Sequence, residues 1–397
     1  MTPDPLIQQK LATTIEYPVV FTENVFDPEN PVLVRAMDRL DENRVHRAMV
    51  FVDSNVADLL PQITQHIIGY FETHSNDIEL AEEPRVIPGG EIIKNDMEVI
   101  GPLIAAMFDA HLCRHSFAIL VGGGAVLDTV GLAASLIHRG IRIIRIPTTL
   151  ATQISGGLGV RTAVNFDTRK NGAGTFAPPF AVINDWQFLY SLPDRDWVGG
   201  VVEAFRLAIL FDASFFEELV TMVSTITQRR SEDIQHLIQR GASIYLQAMA
   251  ELNDPFETRS GSPLDLGAWA AHRLEMLSNG EITHAEAMAM GLLIDARYAV
   301  EQEWMEESDF DRIYQAFAQL GLPLWFGELD LVGPDGNPEV FHGIPDFQEH
   351  KGGMLSIPFP TGIGSSREEH VVDLAMMEIA LDQLKALANA VSMEYQR

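Results

Sequence analysis

"SFAILVGGGAVLDTVGLAASLIHRG", residues 116–140, decides the fold. It opens as a short apolar run, passes through three glycines at 122–124, and continues at helical spacing to His138 and Arg139. A strand that enters a helix through glycines is the junction expected of a parallel α/β sheet. Three similar runs accompany it: "RAMVFVD" (47–53), "IRIIRIPTTL" (141–150) and "FAVIND" (180–185), with helix-like stretches between them. Strands alternating with helices predict an open parallel sheet, with ligands beyond the carboxyl ends of the strands. Asp53, the glycines and Thr148-Thr149 all fall at such ends.

From about residue 198 the pattern becomes helical. "WVGGVVEAFRLAILFDASFFEELVTMVSTI", "SEDIQHLIQRGASIYLQAMAEL" and "AEAMAMGLLIDARYAVEQEW" carry apolar residues at helical spacing. "LDLGAWAAHRLEMLSNGEITHAEA" (264–287) predicts a helix delivering His272, a turn at Asn279-Gly280, and a second helix opening with His284 and Glu286. A turn-rich stretch follows, then a strand at "MLSIPFP" (354–360) and a terminal helix. The boundary is placed near "SLPDRDW", dividing 1–197 from 198–397.

With 397 residues, 47% of them hydrophobic, the chain is long enough for two domains sharing a cleft. It lacks the run of about 18 apolar residues that a membrane span needs. No signal peptide is read at the start, and the single cysteine, Cys113, fits a reducing cytoplasm. The net charge of −29 is spread along the chain and disfavours nucleic acid and anionic membrane as partners. An anionic small molecule would have to be met by a local cluster of cations.

"RTAVNFDTRKNGAGTF" (161–176) offers such a cluster: Arg161, Arg169, Lys170 and Asn171 in a glycine-flanked loop. Arg139 either joins it or answers the negative end of its helix. Gly123, Gly124 and the helix start after them would cradle a dinucleotide's phosphates, or form a tight turn. Glu91 and Lys94, in "IPGGEIIKND", read as a ribose-binding acid with a nearby base, or as an ordinary helix start. Glu203, on an apolar helical face, must be paired, protonated or metal-bound, and Arg206 lies one turn on. Glu203 with His284 and one further histidine would make a zinc set. One turn before His272, however, stands Ala268.

The order of "PGGEIIK", "GGGAVLDTVGLAASLIHRG", "IPTTLATQ", "TAVNFDTRKN", "SLPDRDW", "GVVEAFR", "LDLGAWAAHRLE" and "THAEAMAMG" resembles dehydroquinate synthase and its sugar phosphate cyclase relatives, the EboD-like branch among them. The resemblance covers about residues 45–300. It implies a Rossmann-like parallel α/β half and a mostly α-helical half. It also implies NAD, a divalent metal (zinc or cobalt), a sugar phosphate substrate and a homodimer. The reaction implied is transient oxidation of a hydroxyl, elimination of phosphate, return of the hydride and aldol closure of a ring. Position by position, Asp53, Glu91, Lys94, Gly123, Gly124, Asp128, Thr148, Thr149, Leu189 and Ser191 match NAD contacts. Lys170 and Asn171 match a pair between cofactor and substrate, and His272 a histidine at the phosphate end. Arg139 matches an arginine reaching a neighbouring subunit's substrate; Glu203 and His284 match two metal ligands.

Several positions depart from the family. Ala268 stands where the third metal ligand is a histidine, and Ser155 where an aspartate contacts sugar hydroxyls. Arg161 and Arg206 replace lysines, Gln247 another lysine, and Gly261, with Arg259 nearby, the carboxylate-binding arginine. Loss of the arginine and the aspartate implies a substrate other than the shikimate precursor, within the seven-carbon ketose and ketoaldonate phosphates, while Asp265 or Glu286 could replace the missing imidazole at the metal. A phosphate-binding lysine falls at His350 or Lys351. Two alternatives stand beside the cyclase: a metal-dependent polyol dehydrogenase, and a cofactor-binding homologue with lost or altered metal chemistry.

Overall fold

The computed structural model describes residues 7–10, 13–95, 97–166, 169–252, 256 and 262–394. Seven strands form one parallel sheet: β1 (Val19–Thr22), β2 (His46–Asp53), β3 (Ile78–Leu80), β4 (Arg85–Ile87), β5 (Phe117–Gly122), β6 (Arg142–Pro147) and β9 (Ala181–Asp185). Their order is β1-β9-β6-β5-β2-β3, with β4 also on β2. The runs at 47–53, 116–124, 141–150 and 180–185 are thus its four central strands. Apart from polar residues at their ends and the buried Arg145 within β6, they read as apolar runs because helices cover both faces. Phe51, Leu120 and Val130 pack on one side, and Val50, Ile119 and Val121 on the other.

The chain leaves β2 outward to β3 and β4, then returns to β5 on β2's other side. This reversal opens a crevice between the carboxyl ends of β2 and β5. Asp53 ends β2, and Gly122 ends β5, opposite Pro147 of β6. Helix α1 (Gly124–Leu136) starts in that crevice.

Residues 161–176 are not the loop expected but a hairpin of β7 (Arg161–Phe166) and β8 (Arg169–Phe176). Thr162 and Val164 point inward at strand spacing, and Gly174 allows the two backbones to meet. A Cβ there would lie 2.3 Å from the Thr162 carbonyl oxygen. The glycines therefore serve strand pairing as well as freedom.

Beyond β9 the chain is mainly helical: α2 (Asp194–Phe211), α3 (Ala213–Thr227), α4 (Ser231–Leu252), α5 (Ala268–Leu277), α6 (His284–Glu301), α7 (Glu307–Gln319), α8 (Gly343–His350) and α9 (Leu374–Glu394). The long helical pattern from 197 is broken at Asp212, which takes extended dihedrals and caps α3 by accepting from Phe215 N at 3.0 Å. An aspartate suits that position because it satisfies an otherwise orphaned N–H. The late strand is shorter than expected, Ile357–Pro360, paired with Ser366–Glu369. The core of this half includes Phe205, Phe216, Trp269, Leu293 and Phe317, and takes in Leu150 and Ile154 from beside the sheet. Among the described residues no helix is long and apolar enough to cross a membrane.

Candidate active site

At the crevice, Asp53 is buried, and its carboxylate accepts from Asn55 N at 2.8 Å. Burial raises its pKa, against the backbone N–H groups of Asn55 and Gly123 that lower it. Room is scarce: a Cβ on Gly122 would meet Val126 at 2.9 Å, and one on Gly123 would meet Thr149 at 3.2 Å. No side chain caps α1, whose N-cap is Gly123. Its first N–H groups therefore face the crevice at the positive end of a thirteen-residue helix, an arrangement suited to phosphates. The junction suits the phosphates of a dinucleotide.

Two ion-pair chains extend from the crevice. Lys94, in a turn of 3₁₀ helix over Glu91–Asn95, is buried and donates to Asp128 Oδ2 (2.7 Å) and Asn171 Oδ1 (2.6 Å). Burial works against its charge, but Asp128 and Glu91 outweigh it and raise the pKa. Asn171 takes left-handed dihedrals (φ 54°) near a bulge in the hairpin, and its N–H donates to Asn165 Oδ1. Asparagine tolerates that conformation better than most residues. Beside it Lys170 faces Glu91 at 3.6 Å and donates to Glu275 of α5. Glu275 in turn holds His284 Nδ1 at 2.7 Å.

Glu275 is the hub of this second chain. Burial opposes its ionisation, yet His284 and Lys170 hold the carboxyl well below the usual range. Because a carboxylate only accepts, this contact places a proton on His284 Nδ1. His272, one turn before Glu275 on α5, stacks near His284 with ring centroids 6.4 Å apart. Burial lowers the His272 pKa to about 3, with Lys170, His284 and His350 adding to the effect against Glu275. It is therefore a neutral imidazole at pH 7, able to hydrogen-bond a phosphate but not to contribute charge. Residues 264–287 form the expected helical hairpin, with Asn279 and Gly280 at positive φ and a Thr283–Glu286 capping box opening α6.

The two expected metal ligands, Glu203 and His284, each hold a protein partner. Glu203 accepts two N–H groups from Arg206, Nε at 2.9 Å and Nη2, and Arg206 also donates to the Leu264 carbonyl. Of the three options for Glu203, the pair is what forms. Ala268 is buried at the start of α5 and offers only a methyl group. The carboxylates able to replace a missing imidazole are also engaged: Asp265 with Lys351 at 2.7 Å, and Glu286 with Arg195 at 2.6 and 2.7 Å. Among the described residues no group of three His, Cys, Asp or Glu is assembled to hold an ion. As paired here, they do not complete a metal site.

A buried carboxylate fixes the Ala268 backbone. Asp295 accepts from Gly267 N (2.7 Å) and Trp269 Nε1 (2.9 Å), while Gly267, at φ 78°, lies against Gly291. Burial raises the Asp295 pKa to about 7, more than those two hydrogen bonds lower it. A carboxyl with a raised folded-state pKa stabilises the fold at low pH. That stability is lost as pH rises from about 4, its unfolded value, through about 7. Denaturant unfolding at pH 5 and pH 8 is expected to lose about 2 kcal/mol more in the native chain than in Asp295→Asn. Equal pH dependence in the two would assign Asp295 no such part.

The other expected positions are more dispersed. Thr148 is buried, Thr149 hydroxyl pairs with Thr152 (2.7 Å), Leu189 is buried, and Ser191 donates to the Phe188 carbonyl. Arg139 is exposed, with left-handed dihedrals, on the sheet half. Arg161 opens the hairpin, exposed, and its carbonyl accepts from the buried Arg145. Ser155 lies buried in a π-helical turn, and Gln247 faces outward to Glu251. Gly261 and Arg259 lie outside the described residues. Reading the sequence missed Glu275 and Arg195 as connectors. The signal for Glu275 was its place three residues after His272, on the same helix face.

This geometry defines a class: a parallel sheet whose switch point suits a dinucleotide, tied by the buried Lys170–Glu275 ion pair to a helical half. Residues 85–199 match the 3-dehydroquinate synthase N-terminal family, and residues 200–333 its C-terminal family. A 2-epi-5-epi-valiolone synthase from Actinoplanes sp. is 31% identical over 381 residues, 94% of this chain and 92% of that protein. A 3-dehydroquinate synthase from Sulfolobus acidocaldarius is 30% identical over 307 residues, covering 76% and 82%. The solved 2-epi-5-epi-valiolone synthase of Streptomyces hygroscopicus subsp. jinggangensis, with NAD+ and Zn2+ bound, superposes at a TM-score of 0.85 and 27% identity, covering 96% and 99%. The chain belongs to the 3-dehydroquinate synthase family of sugar phosphate cyclases.

Proposed function

We propose that this chain is an NAD-dependent cyclase acting on a seven-carbon sugar phosphate, by oxidation, phosphate elimination and intramolecular aldol closure. The observation that carries the reading is Lys170, which joins the cofactor crevice to the helical half through Glu91 on one side and Glu275 on the other. Substrate would lie where that bridge crosses the cleft.

NAD, when bound, supplies the acceptor and donor of the hydride. Asp53, Gly123, Gly124, Thr148 and Thr149 would hold it along the crevice, with Glu91, Lys94, Asp128, Leu189 and Ser191 around it. Lys170 and Asn171 would orient the hydroxyl being oxidised and the neighbouring C–H. Lys170 and the neutral His272 would bind phosphate, with Arg161 at the mouth and His350 or Lys351 from the C-terminal end of α8. Phosphate itself would take the proton as it leaves. Arg139 would reach the site of a partner copy, which makes the active form a homodimer, and the compartment is the cytoplasm. Residues 1–197 would form the NAD-binding domain and residues 198–397 the helical metal- and substrate-binding domain. The Streptomyces relative carries zinc as well as NAD; here Glu203 and His284 would hold an ion only after Arg206 lets go, and no step above depends on it. Ser155 in place of an acid supports a substrate other than that of 3-dehydroquinate synthase.

The test is incubation of purified protein with NAD and a panel of seven-carbon ketose and ketoaldonate phosphates. Inorganic phosphate and a cyclic product are expected to appear together, with no net NADH. Steady NADH accumulation on polyols would instead identify a dehydrogenase. Retained NAD without turnover would identify a cofactor-binding homologue.

A further inference from the structure

The geometry points to Arg206 as the resident counter-ion of Glu203, so that the guanidinium and a divalent ion are alternative occupants of one carboxylate. This deepens the proposed function, since it concerns how that site holds metal. Three observations carry it. First, the Arg206 guanidinium meets both Glu203 oxygens, in the side-by-side fit of a planar fork to a carboxylate. Second, both side chains are largely buried, at 8% and 13% exposure, so the pair is weakly screened by water. Third, Arg206 is anchored elsewhere too, on the Leu264 carbonyl of the segment leading to Ala268.

A buried carboxylate needs one compensating charge, and Arg206 already provides it. A dication brought to the same oxygens would face a fixed, permanently charged guanidinium. The neighbouring anions give no relief: Lys351 neutralises Asp265, Lys170 and His284 share Glu275, and Arg195 neutralises Glu286. The Arg206–Glu203 pair therefore limits metal binding beside the missing imidazole at 268. Restoring a histidine alone would leave Glu203 engaged.

The experiment strips the full-length protein with chelator, adds excess zinc, desalts, and measures zinc by elemental analysis. Zinc titrations by calorimetry run beside it. Native chain, Ala268→His, Arg206→Met and the double variant are compared. The expected result is little zinc in the native chain and in Ala268→His, and about one per subunit in the double variant. Its zinc affinity is expected to exceed that of Ala268→His by about a hundredfold. Adding Glu203→Gln to the double variant should abolish retention. One zinc per subunit in the native chain, equal filling of Ala268→His and the double variant, or an empty double variant would each overturn the proposal. If Arg206→Met does not fold, Arg206→Gln, which removes the charge and keeps a polar side chain, takes its place under the same criteria. The readout is bound zinc, so it holds or fails independently of phosphate release.

Discussion

Replacing Glu275 by alanine is expected to lower kcat/KM for phosphate release about a thousandfold, at the upper end of what one preorganised contact supplies. The carboxylate is buried between Lys170 and His284, and both depend on it for position. Without it, Lys170 keeps only the longer contact to the half-exposed Glu91, and His284 loses the partner that fixes its tautomer. Both defects lie where the two halves meet, so they act on the reacting geometry more than on NAD. Glu275→Gln is the informative companion, since its amide oxygen can accept from one partner but cannot compensate charge. The order expected is native, then glutamine, then alanine, with NAD affinity changed less than tenfold in both variants. Parallel loss of NAD would show that Glu275 supports the whole cleft and not the substrate side.

Lys94→Met is the second large effect, and it is read in stability and cofactor together. The ammonium is nearly inaccessible and serves Asp128 and Asn171 at once. Removing it leaves a carboxylate facing an apolar stem. Loss of one member of a buried pair costs about 3–5 kcal/mol. Because Asp128 is a quarter exposed, about 2–3 kcal/mol is the better expectation after solvent screening. The denaturant midpoint should fall accordingly, and NAD should no longer copurify. Adding Asp128→Asn removes the uncompensated charge. The double variant should therefore recover much of the stability while cofactor binding stays weak, a coupling that a double-mutant cycle measures. Recovery of both properties would make Lys94 a structural counter-ion alone.

Much of the fold was legible because the signals are local. β5 and α1 are written in one continuous stretch, an apolar run, glycines and a helical period, and each side chain needs only its neighbours to declare its state. The turn at Asn279-Gly280 and the capping box of α6 were equally local. The hairpin at 161–176 was less so. Its glycines resemble loop residues until strands β7 and β8 are paired, when Gly174 proves to be a point of backbone contact.

By itself, then, the sequence determined the parallel sheet, the helical second half, the phosphate-ready junction at Gly122–Gly124 and the roster of charged candidates. Periodicity and turn chemistry act over a few residues, so they can be read along the chain. Tertiary structure decided which charges meet. Lys170 finds Glu275 across 105 positions, Lys94 finds Asn171 across 77, and Asp265 finds Lys351 from the far end of the helical half. Glu203 was ambiguous for the same reason: paired, protonated and metal-bound carboxylates share one sequence. Only burial together with Arg206 selects among them, because in a desolvated interior a charge is defined by the partner that compensates it.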